Sequence, residues 1–280
     1  MLWPSHGIHL RQRIKMRHLS VDLEGGWAFP LERLAPNAAL TSRLATDSHW
    51  ANEIKAICEE YGVPVVFAVV LNALDIEEIE KKVEAYQCYW GKENSELARK
   101  LYDLRNIQKA FENASVASAR LGVHSLDHSI MEDMTERQFH ALMGRAGKAV
   151  QAGAFLKYFV FPQNVQPEGF ASFQLPEGWI FRCSHMTNPR KTGVRSMRYM
   201  RFLRSDSVVE STSNTIYKTE SYFPLGDTYR ASALRLLCRF RLRLGLSKFP
   251  WTHAWELEGG VSKDVLAAYM REFSAVSRKT

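Results

Sequence analysis

Hydrophobic and polar residues alternate with two different periods along the first half of the chain, and each period predicts one kind of element. Apolar residues recur every three or four positions, as in amphipathic helices, in residues 47–62, 75–90, 95–121 and 135–158. Residues 63–71 are apolar almost throughout and rich in β-branched side chains, which is typical of a buried strand. The first half therefore predicts helices around a short strand.

Two further segments predict β-hairpins, because apolar residues there alternate with polar ones on either side of a glycine-containing turn. They are residues 17–29 and residues 170–183. The second begins within residues 161–178, which are rich in proline, glutamine and glycine. This composition makes 161–178 the best candidate for a domain boundary.

The second half of the chain predicts two helices that carry arginines, over residues 193–204 and 228–244. Residues 205–223 between them predict a hairpin or an extended loop. In the second helix, arginines four residues apart predict an exposed ridge, and apolar residues predict a buried side. The ridge is Arg235, Arg239 and Arg243, and the buried side is Ala233, Leu236, Leu237, Phe240 and Leu244.

Together these elements predict an α+β fold of two lobes. Residues 1–16 form a flexible basic tail, and Met16 is an alternative first residue to Met1. Residues 17–160 form a helix-rich acidic N-terminal lobe with a short buried strand. Residues 170–280 form a basic C-terminal lobe with β-hairpins and Arg-bearing helices.

The charge of the chain is concentrated in one block. The whole sequence carries +7, whereas residues 181–248 carry 14 Lys and Arg against four acids, or +10. Arginine suits phosphate, because the planar guanidinium donates two parallel hydrogen bonds and stays charged. We therefore predict a nucleic-acid-binding protein, with DNA favoured over RNA, that acts as a regulator, a replication factor or a mobile-element factor. The predicted contacts are Arg190, Lys191, Arg195, Arg198, Arg201, Arg204, Lys218, Arg230, Arg235, Arg239 and Arg243.

Other interpretations of the same block stay open. Arginine-bearing helices are also found simply solvated, or paired with acidic surfaces such as the N-terminal lobe predicted here. The block would suit a scaffold subunit of a ribonucleoprotein or protein complex, with a protein partner on the acidic lobe. A metal-dependent nuclease or other nucleic-acid-processing enzyme is the remaining alternative.

Candidate metal ligands occur close together at His124, Asp127 and His128. If this segment were helical, the two histidines would share one face with Glu132. A polar turn between two helices explains the same residues. The sequence leaves both interpretations open.

A second set of carboxylates, Asp206, Glu210 and Glu220, lies within the basic block, where a phosphate-cleaving site would need them. The nearby lysine precedes Glu220 in Lys218-Thr219-Glu220, the reverse of the Glu-x-Lys order expected of such a site. The chain has no P-loop, GxGxxG or GxSxG motif. We therefore predict no catalytic residue, no metal and no cofactor, and favour a non-enzyme while leaving the question open.

The four cysteines are far apart and form no CxxC pair, so neither a disulfide framework nor a zinc ribbon is expected. We predict a reduced, cytoplasmic protein, associated with the nucleoid if it binds DNA. No apolar run approaches the roughly 18 residues that cross a bilayer, and no membrane partner is predicted. The oligomeric state, the sequence specificity and the biological process are not defined by the sequence.

Overall fold

A computed structural model describes residues 17–34, 38–112, 119–153, 155–183, 204–211, 213–219, 221–226, 229–257 and 260–278. Within these residues, eight strands form a single sheet. The strands are β1 (Leu19–Leu23), β2 (Val65–Val69), β3 (Ala119–Val123), β4 (Phe155–Val160), β5 (Ile180–Cys183), β6 (Ser207–Glu210), β7 (Thr215–Lys218) and β8 (Trp251–His253).

The sheet is almost entirely parallel and curls on itself. Its order is β6-β7-β5-β4-β3-β2-β1-β8, and β6 with β7 is the one antiparallel pair within this sheet. The chain that leaves β7 then runs along β8, where Trp251 N donates to Ser221 O at 3.0 Å and Phe223 N donates to Trp251 O at 2.8 Å. Because these bonds connect the chain after β7 with β8 at the opposite edge of the sheet, the architecture is a barrel-like α/β fold.

Parallel strands need long crossover connections, and helices supply most of them. The helices are α1 (Leu31–Leu34), α2 (Ala38–Leu44), α3 (Asp47–Glu60), α4 (Ile76–Trp90), α5 (Ser95–Tyr102), α6 (Arg105–Glu112), α7 (Glu136–Gln151), α8 (Tyr229–Arg243) and α9 (Gly260–Ser277). No helix of the described residues combines the length and the apolar character that crossing a membrane requires.

Local sequence explains where the longer helices begin and end. At the start of α4, the Asp75 carboxylate accepts the backbone N–H of Glu77 at 3.0 Å, and Gly91 ends the helix with φ of 88°. At the start of α7, Thr135 and Gln138 form a reciprocal capping box. Such caps satisfy N–H groups that have no partner within the helix.

The two faces of the sheet differ in polarity. Leu19, Val21 and Leu23 of β1 belong to the large core that the helices cover. Successive side chains of a strand point to opposite faces, so Ser20 and Asp22 lie on the inner face of the curl. That face also carries a smaller apolar cluster of Val66, Ala68, Tyr158, Val160, Tyr217 and Phe249. The polar residues of β1 are therefore buried inside the curled sheet.

The predicted α+β fold of two lobes is wrong, because strands from residues 17–160 and from residues 170–280 hydrogen bond in one sheet. The predicted hairpins at 17–29 and 170–183 are also wrong. Strand β1 pairs in parallel with β2 and β8, and β5 pairs in parallel with β4 and β7. Alternation with a following glycine marks a strand and a turn, but it does not distinguish a hairpin from a strand that enters a crossover.

Several local predictions are confirmed, and two predicted helices are too long for the same reason. Helices α3 and α4, strand β2 and the hairpin of β6 with β7 lie within the predicted segments. The predicted helices 95–121 and 135–158, however, each end in a strand, β3 and β4. A buried strand of five or six residues continues the apolar pattern of a preceding helix, so periodicity alone merges the two.

Helix α8 lies where it was predicted, but its predicted buried side is wrong. Leu236, Phe240 and Leu244 are 71%, 53% and 55% exposed, whereas Cys238 and Arg241 are buried. The predicted helix 193–204 and the tail 1–16 lie outside the described residues.

Candidate metal centre

Polar side chains from distant parts of the chain meet where parallel strands end. Glu24 directly follows β1, His124 directly follows β3, and His253 is the last residue of β8. His128 lies in the loop after β3. Ligand and active sites of parallel α/β folds form at the carboxyl ends of the strands, where these residues lie.

The side chain of Glu24 is the centre of this cluster. Its Oε1 lies 3.0 Å from His124 Nε2 and 2.8 Å from His128 Nε2. The ligand atoms of these three residues all lie within 4.8 Å of one another. Two imidazoles and one carboxylate are a common donor set for zinc and other divalent transition metals.

The contacts of His124 direct one of its ring nitrogens at the Glu24 carboxylate. Its Nδ1 lies 3.1 Å from the carbonyl oxygen of Val160, which can only accept a hydrogen bond. Nδ1 therefore carries a proton, and Nε2 is the ring nitrogen that faces the Glu24 carboxylate. These two atoms are 3.0 Å apart, so a proton or a metal ion must lie between them.

His128 presents a second unused donor atom. Its Nε2 is buried without a hydrogen-bond partner, although it lies close to Glu24. Ser125 and His128 adopt φ of 65° and 63°, a left-handed conformation that is uncommon outside glycine. Backbone bonds from Leu71 N to Ser125 O (3.1 Å) and from Asn72 N to Leu126 O (2.9 Å) hold this loop. The loop conformation turns both histidines toward Glu24.

Asp22 lies beside the three ligands and is held by a buried arginine. Arg182 Nη2 donates to Asp22 Oδ2 at 2.6 Å, and Arg182 Nη1 donates to Ser20 Oγ at 2.6 Å. Arg182 Nε donates to Asn164 Oδ1 at 3.2 Å, and its guanidinium lies 5.0 Å from the centre of the Trp251 ring. The other carboxylate oxygen, Asp22 Oδ1, is buried and has no hydrogen-bond partner. Asp22 thus keeps one oxygen for a further proton or ligand.

His253 lies at the more open part of the cluster, with its Nε2 at 3.7 Å from Glu24 Oε1. Its Nδ1 lies 2.9 Å from Glu256 Oε1, and Glu256 also accepts from Tyr222 OH and, at 2.9 Å, from Leu225 N. The side chain of His253 is 19% exposed, against 1% for His124. Within the cluster, solvent therefore reaches His253 most readily.

The electrostatics of the cluster follow from its burial and its opposite charges. Burial raises the pKa of the Glu24 carboxyl, but His128 and His253 outweigh that effect and hold the pKa well below its ordinary value. Burial lowers the pKa of His253, but Glu24 and Glu256 raise it to about 9. A buried carboxylate here attracts positive charge, and a metal ion supplies such charge without protons.

The structure brings together part of the predicted histidine and carboxylate set. His124 and His128 meet, but through a loop rather than a helix, and their carboxylate partner is Glu24. Asp127 is exposed and accepts the N–H of Ser129. Sequence reasoning missed Glu24, together with Asp22, Arg182 and His253. The available signal was a buried strand that ends in Asp22-Leu23-Glu24, since carboxylates at the end of a parallel strand mark a site.

The second predicted carboxylate set does not form a site among the described residues. Asp206 is buried against Arg241 at 3.3 Å and also accepts from Ser221. Glu210 is exposed on β6, and Glu220 lies outside the described residues.

The residues predicted to contact nucleic acid do not share one environment. Arg239 and Arg243 both pair with Glu272, and Arg235 donates to Gly226 O. Arg204 is exposed and Lys218 is half-buried. The others lie outside the described residues or have no described side chain: Arg190, Lys191, Arg195, Arg198, Arg201 and Arg230.

The prediction of a nucleic-acid-binding protein, with DNA or RNA as its partner, is wrong. A count of charges cannot tell that Arg182 and Arg241 are buried ion-pair partners inside the fold. The polar groups that could bind a ligand lie together in the histidine–carboxylate cluster instead. The likeness to known structures described next supports the same correction.

Comparisons with known proteins find structural likeness without sequence likeness. No family model matches the chain, and no curated protein matches it. A structure described as a "putative polysaccharide deacetylase from Mycobacterium smegmatis" is 11% identical, covers 98% of this chain and 87% of its own, and has a TM-score of 0.54. A CE4 family pseudoenzyme from Bacillus anthracis is 9% identical, with 95% and 61% coverage and a TM-score of 0.42. A family 4 carbohydrate esterase from Streptomyces lividans is 12% identical, with 94% and 88% coverage and a TM-score of 0.38. The chain therefore shares the fold of the mycobacterial protein.

Proposed function

We propose that this protein is a metal-dependent deacetylase that hydrolyses acetyl groups on a carbohydrate. The observation that carries the proposal is the cluster of Glu24, His124 and His128, with Asp22 and His253 both beside Glu24. The description of the mycobacterial protein supports the choice of reaction and substrate class. The sequence favoured a non-enzyme, whereas this arrangement favours a hydrolytic site.

Glu24, His124 and His128 would hold a divalent cation through Oε1 and the two Nε2 atoms. Their donor types fit zinc or a similar transition metal, and the Val160 carbonyl oxygen at His124 Nδ1 leaves Nε2 facing the cluster. When bound, such a cation supplies Lewis acidity that polarises a carbonyl and makes water more acidic.

Asp22 is the proposed general base. Arg182 occupies Oδ2, so Oδ1 is the atom left to accept the proton of the attacking water. The hydrogen bonds from Arg182 to Ser20 and Asn164 fix the position of the guanidinium, and the guanidinium in turn orients the Asp22 carboxylate. A base must be held within hydrogen-bond reach of the proton that it removes.

His253 is the proposed general acid. Glu256 receives its Nδ1–H, which leaves Nε2 directed toward the cluster. As water adds to the acetyl carbon and the bond to the sugar nitrogen or oxygen breaks, Nε2 gives a proton to the leaving atom. The products are the free amine or hydroxyl and acetic acid, which releases its proton to solvent as acetate, and the proton taken by Asp22 balances the one lost by His253.

The test measures metal content and acetate release together. Purified wild-type protein is expected to bind one divalent metal ion and to release acetate from acetylated sugar oligomers, and a chelator should abolish the release. His124→Ala removes a ligand and should lose both metal and activity. His140→Ala, on the exposed part of α7, is the matched control and should keep both. A wild-type protein that binds no divalent metal under these conditions would overturn the proposal.

A further inference from the structure

Helix α8 exposes a row of large apolar side chains. Leu236, Phe240 and Leu244 follow one another at intervals of four residues, so they lie along one side of the helix. They are 71%, 53% and 55% exposed. The row projects from a convex helix surface on the far side from buried Cys238 and Leu242.

Positive charge runs beside the apolar row. Helix α8 contains no acidic residue. The carboxylate of Glu272 pairs with Arg239 and, at 3.6 Å, with Arg243, whereas Arg235 donates to Gly226 O. Three guanidinium groups against that one carboxylate leave a net charge of two positives along the flank.

We propose that this face of α8 docks on an anionic lipid surface. Leucine and phenylalanine beside arginine are the composition of helices that lie in the membrane interface. The apolar side chains would enter the boundary between headgroups and acyl chains, while the arginines bind lipid phosphates.

The charge and the shape of the face favour a bilayer over a second copy of the chain. A symmetric dimer through this face would bring two positive flanks together, whereas anionic headgroups neutralise them. A convex row also needs a groove in a protein partner, but a fluid bilayer needs none. The proposal is independent of the proposed deacetylase activity, because α8 contributes no residue to the metal centre.

Cosedimentation of the full chain with vesicles tests the proposal. Binding to phosphatidylglycerol vesicles should be strong, should weaken at high salt, and should be at least tenfold weaker with phosphatidylcholine vesicles. Phe240→Glu should weaken binding to phosphatidylglycerol by about tenfold or more, because it removes an inserted ring and adds a negative charge. Glu272→Gln should strengthen it by about fivefold, since it releases two arginines.

Val261→Glu is the matched control. Val261 is 64% exposed on α9, 11 residues from Glu272, and the same change there should leave vesicle binding unaltered. If the wild-type chain does not sediment with phosphatidylglycerol vesicles, or if Phe240→Glu binds as wild type does, the proposal is wrong. A dimer in sedimentation velocity that Phe240→Glu dissociates would also overturn it, because the row would then be a contact between copies.

Discussion

Among the described residues, two arginine–aspartate pairs are buried, and the two aspartates differ in their hydrogen bonding. Arg182 pairs with Asp22 at 2.6 Å, and Arg241 pairs with Asp206 at 3.3 Å. Both arginines are completely buried. The difference lies in how many hydrogen bonds each carboxylate accepts.

Both oxygens of Asp206 are occupied. Its Oδ2 accepts the backbone N–H groups of Lys248 at 2.8 Å and Phe249 at 3.0 Å, and its Oδ1 accepts from Arg241. Ser221 Oγ lies 2.9 Å from each oxygen. Asp22 instead uses Oδ2 for Arg182 and leaves Oδ1 without a partner. A carboxylate whose two oxygens both accept hydrogen bonds stabilises the fold. A carboxylate with one oxygen left over can still accept a proton or bind a ligand.

The same substitution at the two sites should separate these roles, and the largest effect is expected on activity at Asp22. Asp22→Asn should reduce acetate release by about 10²- to 10⁴-fold, because the amide cannot accept a proton. The amide oxygen can still accept from Arg182, and its NH₂ group takes the unpartnered position. Because the neutral amide leaves the buried charge of Arg182 without a counter-ion, the free energy of unfolding, measured with urea, should fall, but by less than in Asp206→Asn.

Asp206→Asn should destabilise the fold more strongly. Either orientation of the amide directs its NH₂ group at existing donors, either Arg241 or the N–H groups of residues 248 and 249. Breaking a buried pair in this way typically costs about 3 kcal/mol or more. Urea titration should show that loss, while the folded fraction keeps its activity per molecule.

The two variants control each other. If Asp22→Asn lowers the free energy of unfolding as much as Asp206→Asn does, both pairs are structural, and the assignment of Asp22 as the general base is wrong. Full activity of Asp22→Asn would have the same consequence.

A smaller effect is expected at Asn164, which orients Arg182. Asn164 has φ of 57°, so Asn164→Gly keeps the backbone conformation and removes the acceptor of Arg182 Nε. Asp22 would then be held less firmly, and kcat should fall about tenfold with little change in KM. Gln163→Gly, at the neighbouring left-handed residue, is the control and should keep kcat. An equal loss in both variants would assign the effect to the loop rather than to Arg182.

Local elements were predictable from the sequence because their signals are local. The periodicity of α3 and α4 and the apolar run of β2 lie within single segments. The pairing of β1 with β8 joins residues more than 200 positions apart, and nothing in either strand specifies it. The histidines of His124-Ser-Leu-Asp-His128 could be recognised in the sequence as candidate ligands. The strand order is needed to show that Glu24 and His253 lie beside them.

The position of β8 separates the assembly of the site into two stages. Glu24, His124 and His128 are all present once β3 and its loop have been synthesised, whereas His253 arrives with the strand that completes the sheet beside β1. A growing chain on the ribosome would thus contain every metal ligand about 120 residues before it contains the proposed acid. Under the proposed function, the metal ligands are therefore synthesised first, and β8 adds the acid that completes the site.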